Sequence, residues 1–170
     1  RIGQGIAKRG LGFGMNVIYH NRKRLSESDE KACGARYVDK ETLLREADHV
    51  VLVVPYSAES HHLIGAKEIA LMKSTATLVN IARGGIVDDA ALAEALKAKK
   101  IFAAGLDVYE GEPKVHPELL KLSNVVLAPH IASATEKTRR AMIDLAVRNL
   151  RAALAGKKPP SLINTELWKK

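Results

Sequence analysis

Aromatic residues, cysteines and long hydrophobic runs are all scarce in this sequence of 170 residues. Phe, Trp and Tyr make up only 4% of it, too few for the stacking platforms with which proteins bind single-stranded nucleic acid. The one cysteine, Cys33, excludes an internal disulfide and fits a reducing environment. The longest apolar run, residues 50–55, is far shorter than the roughly 20 residues of a membrane-spanning helix. We therefore expect a cytoplasmic protein that binds neither nucleic acid nor a membrane.

What the sequence does contain is the ordinary composition of a folded domain. Hydrophobic residues make up 46% and charged residues 27% of the chain, which suits one well-buried domain. The formal net charge is +8, but the lysines and arginines are spread along the chain and form only short clusters. We interpret this charge as a generally basic surface that attracts small anionic substrates.

Short apolar runs alternate with helical patterns along the chain. The runs predict strands at residues 16–20, 50–54, 76–81, 102–108 and 124–128. Helical spacing and end signals predict helices from residue 1 or earlier to the glycines at 12–14, and at residues 26–32, 43–47, 67–72, 90–100 and 135–155. In the last helix, Ala141, Leu145, Leu150 and Leu154 are candidates for the inward face. Such alternation predicts an α/β fold, a doubly wound parallel sheet with helices on both faces.

The most informative local segment is TLVNIARGGIVDD at residues 77–89. A strand-like run ends at Arg83, Gly84 and Gly85, and two acids then open a helix, where they suit the positive end of the helix dipole. A cation at the carboxyl end of a parallel strand points into the crevice where open α/β sheets bind ligands, and glycines let backbone approach closely there. The guanidinium fork of Arg83 suits a substrate carboxylate. A surface ion pair with an acid is the alternative role for Arg83.

Four segments in order carry a resemblance to a known family. RIGQGIA at residues 1–7 looks like the end of a dinucleotide-binding G-x-G-x-x-G turn, with Gly3 as its third glycine; the others are NIARGGIVD at 80–88, GLDVYEGEP at 105–113 and APH at 128–130. Together they resemble the D-isomer-specific 2-hydroxyacid dehydrogenases, specifically the glyoxylate/hydroxypyruvate/2-ketogluconate reductase branch. The resemblance implies a Rossmann-like NAD(P)-binding domain at residues 1–155. It also implies a return segment at residues 156–170 toward a mostly absent substrate domain, hence a protein nearly twice as long.

The resemblance also implies roles for individual residues. Arg83 would bind the substrate, His130 would be the catalytic histidine, and Glu112 would be the glutamate that pairs with it. A histidine can supply a proton near neutral pH, and a neighbouring carboxylate favours its protonated form. The residues expected at the cofactor are Arg1, Ile2, Gly3, Asn21, Arg22, Lys23, Pro55, Ile81, Ala82, Arg83, Asp107, His130 and Ala132. Taken singly, His130 would more often be a hydrogen-bonded structural histidine, Glu112 a solvated loop acid and Asp107 a turn or cap residue.

The segment HNRKR at residues 20–24 bears on which dinucleotide binds. An acid at the end of the second strand of such folds binds the ribose hydroxyls of NAD, whereas an arginine accommodates the 2′-phosphate of NADP. Here Asn21 stands at the expected place of the acid, and three cations follow it. The segment predicts NADPH as the cofactor, with NADH as the second choice, and a basic solvated loop is the alternative.

Two functions from different classes agree with these features. The first is an NAD(P)H-dependent homodimeric enzyme that reduces glyoxylate, hydroxypyruvate or 2-ketogluconate to the D-2-hydroxy acid. The second is a dinucleotide-binding module or sensor without turnover. We expect no metal site, because His61, His62 and His116 lack ligand spacing with further cysteine or acidic residues in the sequence.

Overall fold

The structure is a computed structural model that describes residues 2–168. Helices form at Ile2–Gly12 (α1), Glu27–Cys33 (α2), Lys40–Glu46 (α3), Ala66–Ile69 (α4), Asp89–Lys97 (α5) and Glu136–Leu154 (α6). Strands form at Val17–Tyr19 (β1), Ala35–Tyr37 (β2), His49–Leu52 (β3), Thr77–Asn80 (β4), Ala103–Leu106 (β5) and Val125–Leu127 (β6). Short 3₁₀ turns lie at Ala58–Ser60, Leu119–Lys121 and Thr165–Leu167.

All described strand pairs are parallel, which confirms the predicted Rossmann-like α/β fold. β1 pairs with β2, and a second sheet has the order β3-β4-β5-β6. Doubly wound sheets have the order 3-2-1-4-5-6. β2 and β1 match positions 3 and 2 of that order, and β3, β4 and β5 match positions 4, 5 and 6. The central position is taken by none of the described strands.

Helix ends follow from short polar side chains that accept backbone hydrogen bonds. Ser26, Asp39, Asp88 and Thr135 cap α2, α3, α5 and α6, each accepting from the amide three residues later. Such caps pair amides that have no partner inside the helix. The capped helices start within one to three residues of the predicted positions, and the largest difference is at α3, whose cap Asp39 the sequence analysis did not indicate.

The chain forms two compact units, the first ending at Pro129 and the second beginning at His130. In the first unit, the main core is built on β3, β4 and β5 with α4 and α5, and its fully buried side chains include Leu78, Ile86, Leu92 and Leu96. A smaller cluster of Ala7, Cys33 and Ala35 lies with β1 and β2. The predicted domain boundary at residues 155 and 156 stays a prediction.

Two expectations about individual elements are corrected. The sequence did not indicate β2, which is only three residues long and carries the exposed Arg36 at its centre. The inward face expected for α6 is wrong, since no residue of this helix, all of it within the described residues, is buried; Ala141, Leu145, Leu150 and Leu154 are exposed. The pattern of α6 identifies an apolar face correctly, but burial also needs a covering surface.

None of the described helices is long and apolar enough to cross a membrane.

Candidate functional site

Arg83 lies in a tight turn directly after β4, and Asn80 holds this turn in shape. Asn80 is 1% exposed, its side-chain oxygen accepts from the Ala82 amide at 3.1 Å, and its side-chain nitrogen donates to the Arg83 carbonyl at 3.1 Å. The Arg83 side chain is exposed and donates from Nη1 to the Ala82 carbonyl at 2.6 Å. The turn therefore presents an exposed guanidinium from a fixed backbone at the carboxyl end of the sheet.

Gly84 brings this turn into backbone contact with the loop after β5. A Cβ at Gly84 would lie 1.7 Å from the Tyr109 carbonyl oxygen and 3.0 Å from the Glu110 nitrogen, so any side chain would collide with the peptide between them. Tyr109 is buried and donates its hydroxyl to the Ala128 carbonyl at 2.7 Å. Its amide donates to a carboxylate oxygen of Glu112 at 3.0 Å. The sequence predicted that Gly84 lets backbone approach a ligand crevice, whereas the close neighbour of Gly84 in the structure is this protein loop.

Two further side chains, those of His62 and Asp89, contact Glu110, and sequence reasoning missed this cluster. Nε2 of His62 lies 3.0 Å from both carboxylate oxygens of Glu110, and the His62 amide donates to the Gly85 carbonyl at 2.7 Å. The Glu110 amide donates to Asp89 at 2.9 Å. Asp89 is 3% exposed, and this burial raises the pKa of its carboxyl. Asp88, the cap of α5, has an oxygen 3.9 Å from Nδ1 of His62.

The same cluster brings together three groups of metal-ligating type. Ligand atoms of His61, His62 and Glu110 lie within 4.8 Å of one another, so the acid that the sequence did not indicate near these histidines is 48 residues further along. The two imidazole rings, however, stack with centroids 3.9 Å apart and planes 22° apart. Because lone pairs of imidazole nitrogens lie in the ring plane, those of the two rings lie in nearly parallel, separate planes, whereas a zinc site needs ligands that converge on one ion. This geometry favours hydrogen bonding by His62 over shared metal ligation.

In the loop after β1, one of the three cations forms an ion pair within the fold. Arg24 forms a two-pronged pair with Glu30, with distances of 2.8 and 2.9 Å. The Tyr19 hydroxyl also donates to Glu30 at 2.6 Å. The Arg24 guanidinium and then the Tyr19 hydroxyl lower the pKa of the Glu30 carboxyl to about 2. Arg24 is thus held at the base of the loop.

The other residues predicted to select the cofactor remain exposed. Arg22 reaches only a long contact of 3.7 Å with Glu59, and the two side chains are 86% and 77% exposed; pairs of this kind contribute little energy. Lys23 and Asn21 are exposed as well, and the Asn21 carbonyl accepts a long hydrogen bond from Tyr37 at 3.4 Å. Two exposed cations beside a neutral side chain suit a phosphate group.

The remaining cofactor candidates of the first unit follow the carboxyl ends of its strands. Gly3 lies in the first turn of α1, where an added Cβ would be 3.2 Å from the Val53 side chain just after β3. Helix N-termini of this length bind phosphate groups through backbone amides. Pro55 follows β3, Ile81 and the buried Ala82 follow β4, and the buried Asp107 follows β5. Ile2 is exposed in α1, and Arg1 lies outside the described residues. The described positions thus lie at the start of α1 or shortly after strand ends.

His130 opens the second unit three residues after β6, and Ala132 is exposed in the turn that follows. The backbone of His130 is left-handed, with φ of 54°. This conformation is uncommon for residues other than glycine and is found more often at functional positions. Arg83 and Glu112, by contrast, belong to the first unit, in which the Gly84 contact joins their two segments.

Comparison with known proteins identifies both a matching family and close relatives. Residues 1–132 match the family described as D-isomer specific 2-hydroxyacid dehydrogenase, NAD binding domain. The glyoxylate reductase of Thermococcus litoralis is 52% identical over 167 residues, which are 98% of this chain and 50% of that protein. The chain thus spans about half the length of the curated relatives it matches.

Solved structures give the same picture. A glyoxylate reductase from Paecilomyes thermophila superposes with a TM-score of 0.87 at 41% identity, covering 97% of this chain and 50% of its own. An NADPH-dependent glyoxylate/hydroxypyruvate reductase from Sinorhizobium meliloti, in complex with NADP and malonate, superposes with a TM-score of 0.88 at 34% identity, covering 99% of this chain and 52% of its own.

Proposed function

This chain belongs to the D-isomer specific 2-hydroxyacid dehydrogenase family, and from this premise we propose that its protein reduces a small 2-oxo acid to the D-2-hydroxy acid. The observation that carries the proposal is the contact of the Arg83 turn with the loop that holds Glu112. Glyoxylate and hydroxypyruvate are the first substrates to test, since the names of similar proteins contain them. 2-Ketogluconate follows from the sequence resemblance.

In this proposal, Arg83 binds and orients the substrate. Its guanidinium is exposed at the carboxyl end of the sheet and offers parallel N–H donors to a carboxylate. Donors placed before the reaction also stabilise negative charge that develops on the carbonyl oxygen. Asn80 fixes the backbone on which Arg83 is mounted, so little orientation has to be gained when the substrate binds.

We propose His130 as the proton donor and Glu112 as the acid that keeps it protonated. Reduction of a carbonyl to a hydroxyl needs one proton at the oxygen, and a histidine can deliver it near neutral pH. An adjacent carboxylate favours the imidazolium form and sets the ring orientation. Glu112 already accepts the Tyr109 amide through one oxygen, so its carboxylate has a defined direction.

The cofactor proposed for these residues is NADPH. The first turn of α1 would hold the pyrophosphate, and Arg22 and Lys23 would hold the 2′-phosphate beside the neutral Asn21. When bound, the nicotinamide supplies the hydride. We propose Asp107 as the group nearest the carboxamide. We also propose a homodimer, which sedimentation of the full-length protein tests directly.

The first experiment follows NADPH oxidation with glyoxylate, hydroxypyruvate and 2-ketogluconate, on these 170 residues and on a chain extended at its N-terminus. We expect His130→Ala to lower kcat by about 10²–10⁴-fold and Arg83→Gln by about 10²–10³-fold. Arg83→Lys should recover little, because it keeps the charge but loses the fork. If the extended protein binds NADPH but reduces none of these acids, a binding module or sensor without turnover takes the place of the reductase.

Cofactor choice needs a separate test. Arg22→Ala is expected to raise the KM for NADPH about tenfold and leave the KM for NADH unchanged. Arg36→Ala is the matched control, because Arg36 is also an exposed arginine in a surface ion pair, at 3.4 Å from Glu46. A clear preference of the unaltered protein for NADH would contradict the NADPH assignment and leave the reductase proposal intact.

A further inference from the structure

Glu110 is held from three sides by parts of the chain that are distant in sequence. Its carboxylate meets His62 at 3.0 Å, its amide donates to Asp89 at 2.9 Å, and the peptide preceding it rests on Gly84. Two residues beyond it stands Glu112. Three contacts thus constrain the loop at a position two residues from Glu112.

The segment that carries His62 is itself fastened to the Arg83 turn. The His62 amide donates to the Gly85 carbonyl at 2.7 Å, and the Ile64 amide donates to the Ile86 carbonyl at 3.1 Å. The Asp88 amide in turn donates to the Ile64 carbonyl at 3.0 Å. The backbone of His62 is therefore bonded to the turn, and its side chain connects that turn to the loop after β5.

The backbone of His62 is left-handed, with φ of 49°. This conformation costs energy in a residue other than glycine, and here it directs the imidazole toward Glu110. Two acids and one ring face the His62 ring: Glu110 lies at 3.0 Å, Asp88 lies at 3.9 Å, and the His61 ring is stacked at 3.9 Å. A hydrogen bond to an ionised acid is among the stronger contacts available at a partly exposed site.

We propose that His62 and Glu110 are positioning residues that clamp the loop of Glu112 onto the turn of Arg83. The clamp sets the distance between the substrate-binding group and the acid that serves the proton donor. Its effect on turnover rests on the proposed function, whereas its effect on the loop does not. Neither residue is assigned a contact with the substrate or the cofactor.

The test compares His62→Asn, His62→Gln and Glu110→Gln in the full-length protein. Asparagine tolerates the left-handed backbone but is too short to reach Glu110, while glutamine extends a side-chain amide toward it. His49→Asn is the matched control, since His49 is an exposed histidine at the opposite end of the sheet, bonded to Thr77 at 2.8 Å. Amide hydrogen exchange by NMR reports the clamp directly, because the Tyr109 and Glu110 amides donate within it.

We expect His62→Asn and Glu110→Gln to accelerate exchange of the Tyr109 and Glu110 amides about tenfold. The same variants should lower kcat about tenfold while the KM for NADPH stays unchanged, and His62→Gln should restore most of both effects. His49→Asn should change neither. Exchange and kcat that match the unaltered protein in both clamp variants would overturn the proposal. If exchange accelerates as expected but the unaltered protein reduces no 2-oxo acid, the clamp stands and the proposed function fails.

Discussion

Replacing Gly84 by alanine is the most direct test of how the turn and the loop fit together. The new Cβ would lie 1.7 Å from the Tyr109 carbonyl oxygen and 2.3 Å from the Tyr109 carbonyl carbon, far inside van der Waals contact. Both are backbone atoms, which cannot rotate aside as the end of a flexible side chain can. The turn and the loop must therefore separate to admit one methyl group.

The structure also indicates how large the effect should be. Overpacking of a well-fitted site costs about 1–3 kcal/mol, and here both neighbours of the clash are tied down. Tyr109 is buried and bonded to Ala128, and the Glu110 amide is bonded to the buried Asp89. We therefore expect Gly84→Ala to lower the free energy of unfolding by an amount at the upper end of this range, about 3 kcal/mol. At about 2–4 °C per kcal/mol for a chain of this size, the melting temperature should fall by about 6–12 °C.

Thermal and urea unfolding of Gly84→Ala, beside Gly12→Ala, measure this difference. Gly12 ends α1 and has no atom within 4 Å of an added Cβ among the described residues. Alanine there should leave the free energy of unfolding unchanged or raise it by up to about 1 kcal/mol. Equal melting temperatures for Gly84→Ala and Gly12→Ala would refute the close contact with the Tyr109 peptide.

Three further predictions concern stability. Asn80→Ala leaves the buried Ala82 amide and the Arg83 carbonyl without their partner, and urea unfolding should show a loss of about 1–3 kcal/mol. Because the pKa of Glu30 is lowered to about 2, its pair with Arg24 stabilises the fold above the ordinary value of 4.5 and is lost as pH falls through about 2. Urea titrations should therefore show Arg24→Gln approaching the unaltered protein in acid. Burial raises the pKa of the Asp89 carboxyl, so the protonated side chain stabilises the fold below pH 3.8, and this stabilisation is lost as pH rises through the folded pKa. The stability of Asp89→Asn relative to the unaltered protein should therefore increase over that pH range.

Each of these has an outcome that contradicts it. A loss below about 0.5 kcal/mol for Asn80→Ala would mean that water replaces both bonds. A stability difference for Arg24→Gln that persists unchanged at pH 2 would remove Glu30 as its cause. For Asp89→Asn, a difference from the unaltered protein that does not vary between pH 3 and pH 8 would show that the buried carboxyl has no raised pKa.

The order of strands and helices could be predicted because their signals are local. The runs around Val51, Val79 and Ala104 and the caps at Ser26 and Thr135 each act within a few residues. Strands nevertheless end one or more residues earlier than predicted, as at Leu52. Pairing with a neighbouring strand decides where a strand ends, and that depends on residues far away in the sequence.

The same contrast between local signals and contacts of distant residues applies to the candidate site. Arg83 and its glycines could be predicted because a cation in a glycine turn after a strand has a general meaning in parallel sheets. His62 and Glu110 could not, because 48 residues separate them and each alone is an ordinary polar residue of a loop. Arg24 was counted among the cations available to a phosphate, and only folding brings it to Glu30.

The exposed apolar face of α6 has a consequence for how molecules of this chain behave in solution. Ile143, Val147, Leu150 and Leu154 recur at helical spacing and are 44–81% exposed. The net charge of +8 makes two such molecules repel each other, over a screening length of about 8 Å at 0.15 M salt and about 3 Å at 1 M. Added salt therefore removes the repulsion and leaves the attraction between apolar faces. Raising the ionic strength should therefore make solutions of these 170 residues turn cloudy.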